Sequence, residues 1–100
     1  METPYYAVIF TSVRTENDGN YGETADLMVK MANEQPGFLG VESARNEIGI
    51  TVSYWKDLES IKKWKQVLEH KAAQQKGRSM WYENYTVRIA LVEKQYSFGR

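Results

Sequence analysis

Residues able to move a proton or bind an anion are concentrated between Trp64 and Arg88. This stretch contains the only histidine of the chain, His70, together with two arginines and several aromatic residues. Histidine has an ordinary pKa of about 6.5, which makes it the natural candidate for a general base near neutral pH. Arg88 interrupts an apolar run, and its guanidinium is a candidate catalytic partner for a substrate anion.

Aromatic side chains near these two residues are candidates for the walls of a binding site. The predicted substrate-binding residues are Trp55, Trp64, Trp81 and Tyr85, with Arg78 as a second cation. Each has a structural alternative. A tryptophan on the apolar stripe of a helix packs in a core, an arginine at a helix end is stabilised by the helix dipole, and Arg88 fits a surface or interface salt bridge. These alternatives stay open from the residues alone.

The helical spacing predicts the direction in which the His70 side chain points. Apolar residues recur along this helix at Leu58, Ile61, Trp64, Leu68 and Ala72. At 100° per residue, His70 lies about 160–200° around the helix from Leu68 and Ala72, which predicts a solvent-facing side chain. A role as general base therefore requires the helix to break near residues 67–72 and turn His70 towards the site. If the protein is an enzyme, we predict such a break.

Composition excludes several classes of function. Thirteen basic and thirteen acidic residues give zero net charge, a poor profile for binding nucleic acid or an anionic membrane. The chain has no cysteine, and no spacing gathers carboxylates beside its one histidine, because the adjacent Glu69 points elsewhere on the helix; we therefore expect no metal site. No phosphate-binding or dinucleotide-binding motif is present. No secretory signal or membrane-spanning stretch is evident, so we expect a soluble cytoplasmic protein.

The apolar pattern divides the chain into four strands and two helices. The predicted strands are residues 5–13, 38–45, 48–55 and 82–96. One helix runs from Tyr21 to a stop at Gln35-Pro36-Gly37, and the other from an N-cap at Asp57 to Gly77. This β-α-β-β-α-β order predicts a ferredoxin-like α+β fold, an antiparallel sheet with two helices on one face. We expect residues 1–100 to form one domain.

The same pattern predicts a homodimer. Two helices cover only one face of a sheet, yet the first strand is apolar on both faces. The last strand, if it runs over residues 82–96, is too long to pair within so small a sheet. An uncovered apolar sheet face is a liability. We therefore expect the sheets of two copies to pack face to face.

Five blocks of sequence carry a resemblance to a known family. They are YYAVIF in the first strand, QPGFLG at residues 35–40, VSYWKDLESIKKW at 52–64, EHKAAQQKGR at 69–78 and YENYTVRIALVE at 82–93. Together they resemble the antibiotic biosynthesis monooxygenase family of small dimeric α+β barrel proteins. The resemblance implies a cofactor-independent monooxygenase acting on an electron-rich aromatic or quinol-like small molecule. It also implies that Trp64 lines the substrate cavity. The alternative is a non-catalytic small-molecule-binding or sensing dimer of the same fold.

The resemblance also allows a haem site to be checked by position. Haem-degrading members of the family place the iron-ligating histidine ten positions after the helix tryptophan. Counted from Trp64, that position is Gln74, and an amide oxygen is a poor iron ligand compared with imidazole. Those enzymes also need an asparagine on the first strand, which residues 5–13 lack. We therefore expect no haem, and no other cofactor.

Overall fold

Four strands form one antiparallel sheet in the order β2-β3-β1-β4. The computed structural model describes residues 1–14, 21–75 and 82–99. The elements are β1 (Tyr5–Arg14), α1 (Tyr21–Asn33), β2 (Phe38–Arg45), β3 (Gly49–Trp55), α2 (Leu58–Gln75) and β4 (Tyr82–Val92). The predicted ferredoxin-like α+β fold is confirmed. No helix in these ranges is long and apolar enough to cross a membrane.

β4 is shorter than the sequence predicted. The strand was expected to continue to Tyr96, but it ends at Val92, which pairs with Tyr5 at the start of β1. The preceding residue, Pro4, has no amide hydrogen to donate, so β4 has no partner beyond this point. The following segment is held to the N-terminus instead, because the Gln95 side chain bonds to the Tyr5 hydroxyl and to the backbone of the first residue.

Alternation along the strands assigns each side chain to one of two sheet faces. We call the face that carries the helices the inner face and the opposite one the outer face. Tyr6 and Val8 of β1 lie on the inner face, because they pack against the buried core. The buried residues of this core are Ala32 of α1, Trp55 of β3, and Ile61 and Trp64 of α2. The odd-numbered residues of β1 therefore lie on the outer face.

Trp55 stands at the centre of this core and is fully buried. Its ring centroid lies 5.2 Å from that of Phe38 and 5.8 Å from that of Trp64, so it joins the sheet to α2. The indole nitrogen of Trp55 donates to the Ser53 hydroxyl at 2.9 Å. The single polar atom of the ring is thereby satisfied inside the core.

The N-cap predicted for α2 is confirmed. A carboxylate oxygen of Asp57 accepts hydrogen bonds from the Ser60 backbone N–H at 2.8 Å and from the Ser60 hydroxyl at 2.7 Å. Both bonds favour the ionised carboxylate and lower the pKa of Asp57. Beside this cap, Gly37 has a φ of 84°, and its carbonyl accepts from the Lys56 backbone N–H at 2.8 Å. These contacts join the start of α2 to the start of β2.

Candidate functional site

The helices leave part of the inner face uncovered. Contacts between helices and sheet fall mainly from α1 to β2 and from α2 to β3. On β4, the residues paired with the inner-face positions of β1 are apolar and 41–53 % exposed. They are Tyr85, Val87, Ile89 and Leu91, which we call the β4 row. A continuous apolar surface of this kind is a candidate binding site for an apolar or aromatic molecule.

An aromatic cluster closes one end of the β4 row. It consists of Phe10, Tyr82 and Tyr85. Phe10 stacks on Tyr85 with ring centroids 5.3 Å apart, and Tyr82 meets both rings edge-on at 5.4 and 5.9 Å. A β-bulge between Val13 and Arg14 shifts the register of the β1–β4 pair. A bulge changes the direction in which nearby side chains point, and the side chain of Tyr82 lies on the same face as that of Tyr85.

A polar pair adjoins the aromatic cluster. Ser12, which faces Tyr85 across the β1–β4 pair, is only 2 % exposed. Its hydroxyl oxygen accepts a hydrogen bond from Arg45 Nη2 at 2.6 Å. The Arg45 guanidinium lies over Gly49, where a Cβ atom would overlap it and would approach its Nε to 2.6 Å. The guanidinium of Arg45 therefore occupies the space that a side chain at position 49 would fill.

Ser12 and Arg45 are not among the site residues predicted from the sequence. Two signals were nevertheless present. Ser12 is a polar residue that the alternation of the first strand places on the same face as the apolar Tyr6, Val8 and Phe10. Arg45 is the last residue of one predicted strand and Gly49 lies near the start of the next, and their pairing in the structure sets a residue without a side chain opposite a long cation. Neither signal identifies a site without the position of β4.

Of the predicted wall residues, the structure places Tyr85 in the open site and the two described tryptophans elsewhere. Trp55 and Trp64 are buried in the core. Burial is compatible with core packing and with a cavity wall, so their role in substrate binding stays a prediction. Trp81 and Arg78 lie outside the described residues. Arg88 pairs with Ile9 and therefore lies on the outer face. Within the described chain, Arg88 and Tyr85 are on opposite sides of the sheet.

The predicted break in α2 is wrong. The helix is continuous from Leu58 to Gln75, and His70 is exposed on it. The physical reason is local, because residues 58–75 contain neither proline nor glycine and the second half is rich in strong helix formers. A turn of His70 towards the β4 row therefore does not occur in the described chain. A catalytic role for this side chain stays a prediction.

The chemistry that the described site offers is stacking, hydrogen bonding and one guanidinium charge. In the ranges that the structure describes, no three histidine, cysteine or carboxylate side chains are grouped as metal ligands. A shallow surface depression is lined only by residues of α1, namely Asp26, Leu27, Val29, Lys30 and Asn33. It shares no residue with the β4 row or the aromatic cluster. The inner face of β1 and β4 is therefore the candidate site.

Comparison with known proteins gives the family to which this chain belongs. The family model for antibiotic biosynthesis monooxygenases matches residues 4–76, and the chain belongs to this family. The uncharacterized protein YqjZ of Bacillus subtilis (strain 168) is 59% identical over 99 residues, which cover 97% of this chain and 87% of that protein. The family resemblance found in the sequence is thereby confirmed.

Solved structures of low sequence identity share the fold. SnoaB, a cofactor-independent oxygenase from Streptomyces nogalater, matches with a TM-score of 0.67 at 11% identity, over 98% of this chain and 100% of that chain. Protein SO0527 from Shewanella oneidensis matches with a TM-score of 0.73 at 8% identity, over 91% of this chain and 93% of that chain. At such identities the likeness concerns the arrangement of strands and helices.

Proposed function

We propose that this chain is a small monooxygenase that oxidises an electron-rich aromatic or quinol-like molecule without metal, flavin or haem. The observation that carries the proposal is the solvent-exposed β4 row, which has three aromatic rings at one end. The chain that carries it belongs to the antibiotic biosynthesis monooxygenase family. Aromatic rings bind a flat ligand by offset stacking and edge contacts. The shared fold of SnoaB, a cofactor-independent oxygenase, supports the same chemistry.

The proposed reaction uses the electrons of the substrate itself. Loss of a proton turns a phenol or an activated methylene group into an anion, which is a better electron donor than its neutral form. Dioxygen accepts those electrons. In the overall change, a CH₂ group and O₂ give a C=O group and water, so one oxygen atom enters the product and the other leaves as water. The tasks of the protein are to orient the ring and to stabilise the anion.

We propose further that the working unit is a homodimer formed through the outer faces of two sheets. In the described chain the helices lie on the inner face, while the outer face carries Ile9, Ile50 and Val52, and Ile50 is exposed. Packing two such faces is expected to bury about 2,000 Å² or more in total. Arg88 would then lie at the interface, where it either pairs across the dimer or acts on the partner's site.

A second candidate function is small-molecule binding or sensing without catalysis. The observation that favours it is the continuous α2 with an exposed His70. General-base catalysis needs a titrating group within hydrogen-bond reach of the substrate. The described inner face of β1 and β4 contains no histidine. A dimer that binds an aromatic molecule on the β4 row would need none.

An oxygen-electrode assay combined with ligand binding separates the two candidates. The wild-type protein is tested against a panel of anthrones and dihydroxynaphthalenes, with product identified by mass spectrometry. We expect O₂ uptake with one oxygen atom incorporated. Val87→Asp, in the β4 row, should abolish both binding and uptake. Leu27→Asp changes an exposed apolar residue of α1 outside the site and serves as the matched control.

The outcomes of this assay are distinct. Binding that Val87→Asp removes, without O₂ uptake by the wild-type protein, establishes the non-catalytic candidate. O₂ uptake that survives in a folded Val87→Asp variant shows that the reaction does not use the β4 row. Circular dichroism and the oligomeric mass of each variant confirm that only the surface has changed.

A further inference from the structure

The Arg45 side chain has unused capacity to bind an anion. A guanidinium carries five N–H donors, and in the described chain one is used, in the bond to Ser12. Within those same residues no carboxylate forms an ion pair with Arg45; the described ion pair is the one between Lys65 and Glu69. The side chain is exposed, so a ligand can reach the remaining donors.

The position of this guanidinium is set by three neighbouring strands. Gly49 of β3 pairs with Ser12 of β1, and Ser12 pairs with Tyr85 of β4. Adjacent strands are about 4.8 Å apart, so Gly49 and Tyr85 are separated by roughly 10 Å, with Ser12 between them. The guanidinium that rests over Gly49 and the rings of Phe10 and Tyr85 thus flank the same buried hydroxyl. A fused aromatic ring with an acidic substituent has about this length.

We propose that Arg45 and Ser12 form an anion subsite that binds the acidic oxygen of an aromatic ligand whose ring packs on the aromatic cluster. The proposal rests on the proposed function in taking the ligand to be aromatic, and it adds that the ligand is bound as an anion. Arg45 donates its free N–H groups to that oxygen, while Ser12 holds the guanidinium in place. Charge-assisted bonds of this kind are shorter and stronger than neutral ones.

This subsite also assigns a role to Gly49. A side chain at this position would overlap the far end of Arg45, which is flexible and can swing away. Gly49→Ala should therefore displace the guanidinium without removing its charge. The effect of position can thus be separated from the effect of net charge, which Arg45→Gln changes. Lys62→Gln removes the same unit of charge from an exposed position on α2, outside the subsite, and is the matched control.

The test is a fluorescence titration with two probes of equal shape. One is 3-hydroxy-2-naphthoate, whose carboxylate is ionised at neutral pH, and the other is the neutral 3-hydroxy-2-naphthamide. We expect the wild-type protein to bind the anion at least about tenfold more tightly than the amide, as hydrogen bonds to a charged group imply. Arg45→Gln and Gly49→Ala should both remove this preference and leave amide binding unchanged. Lys62→Gln should retain it.

Equal binding of the two probes by the wild-type protein overturns the anion subsite but leaves aromatic binding, and so the proposed function, intact. A preference that persists in both Arg45→Gln and Gly49→Ala also overturns it. If neither probe binds, the subsite is rejected, and the O₂ assay on the wild-type protein judges the proposed function separately. Should Arg45→Gln unfold, Gly49→Ala alone decides, because it retains the guanidinium.

Discussion

Replacing Gly37 by alanine should destabilise the protein strongly, although the change adds one methyl group. Gly37 has a φ of 84°, in the left-handed region that side chains disfavour. An added Cβ would overlap the Ser60 hydroxyl and lie 2.8 Å from Ser60 Cβ. Ser60 is the residue whose N–H and hydroxyl bond to the Asp57 cap. The substitution therefore has two effects. It strains the backbone at residue 37, and it displaces Ser60 in the first turn of α2.

The magnitude follows from two terms. The left-handed backbone costs about 1–2 kcal/mol for a residue with a side chain. Forcing an extra methyl into a filled space costs about 1–3 kcal/mol. The lower limits of these two ranges add up to about 2 kcal/mol, and we expect the free energy of unfolding to fall by at least this amount. With a urea dependence of about 2 kcal/mol per molar, the unfolding midpoint falls by roughly 1 M.

Urea titration followed by circular dichroism measures this shift, with Gly40→Ala as the matched control. Gly40 lies in the same segment, but the nearest atom to its added Cβ is Tyr54 Cδ2 at 3.9 Å, an ordinary contact. We expect Gly40→Ala to change stability by less than about 0.5 kcal/mol. In a Ser60→Ala background the cost of Gly37→Ala should shrink but persist, because Ser60 Cβ remains. Equal effects of Gly37→Ala and Gly40→Ala would refute the geometry assigned to this turn.

Four further predictions follow from the sequence and the fold. Light scattering at low micromolar concentration should give twice the 11.6 kDa chain mass, and a monomer would contradict the packing of two outer faces. Added haemin should give no sharp one-to-one Soret band, whereas Gln74→His is expected to create some binding; tight binding by the wild-type protein would refute the positional argument. If His70 is the general base, His70→Ala should lower turnover by 10²–10⁴, and turnover within about threefold of the wild-type rate would rule out that role. Because Tyr54 donates to a Glu42 carboxylate oxygen at 2.7 Å, its pKa is raised to about 12. Spectrophotometric titration should detect the raised pKa of the Tyr54 phenol, and Glu42→Gln should lower that pKa towards 10. The hydrogen bond from Tyr54 to Glu42 stabilises the folded state below pH 10, and this stabilisation is lost as the pH rises through about 12.

Local signals in the sequence determined the elements of this protein. Period-two and helical spacings located four strands and two helices, and the cap at Asp57 and the stop at Pro36-Gly37 are where the structure has them. These signals succeed because each depends on residues within a few positions of one another. The extension of β4 to Tyr96 failed, because a strand also needs a partner, and β1 begins at Tyr5.

Only the tertiary structure decided which residues meet at the candidate site. Alternation shows that Tyr85 and Val87 share a face and that Arg88 does not, but it does not show which face carries the helices. That depends on how the buried Trp55 packs against α2 and on which strand is left uncovered at the edge. The bond between Arg45 and Ser12 joins residues 33 positions apart. It arises because the pairing of β2, β3 and β1 places both beside Gly49, a non-local arrangement that no stretch of sequence specifies by itself.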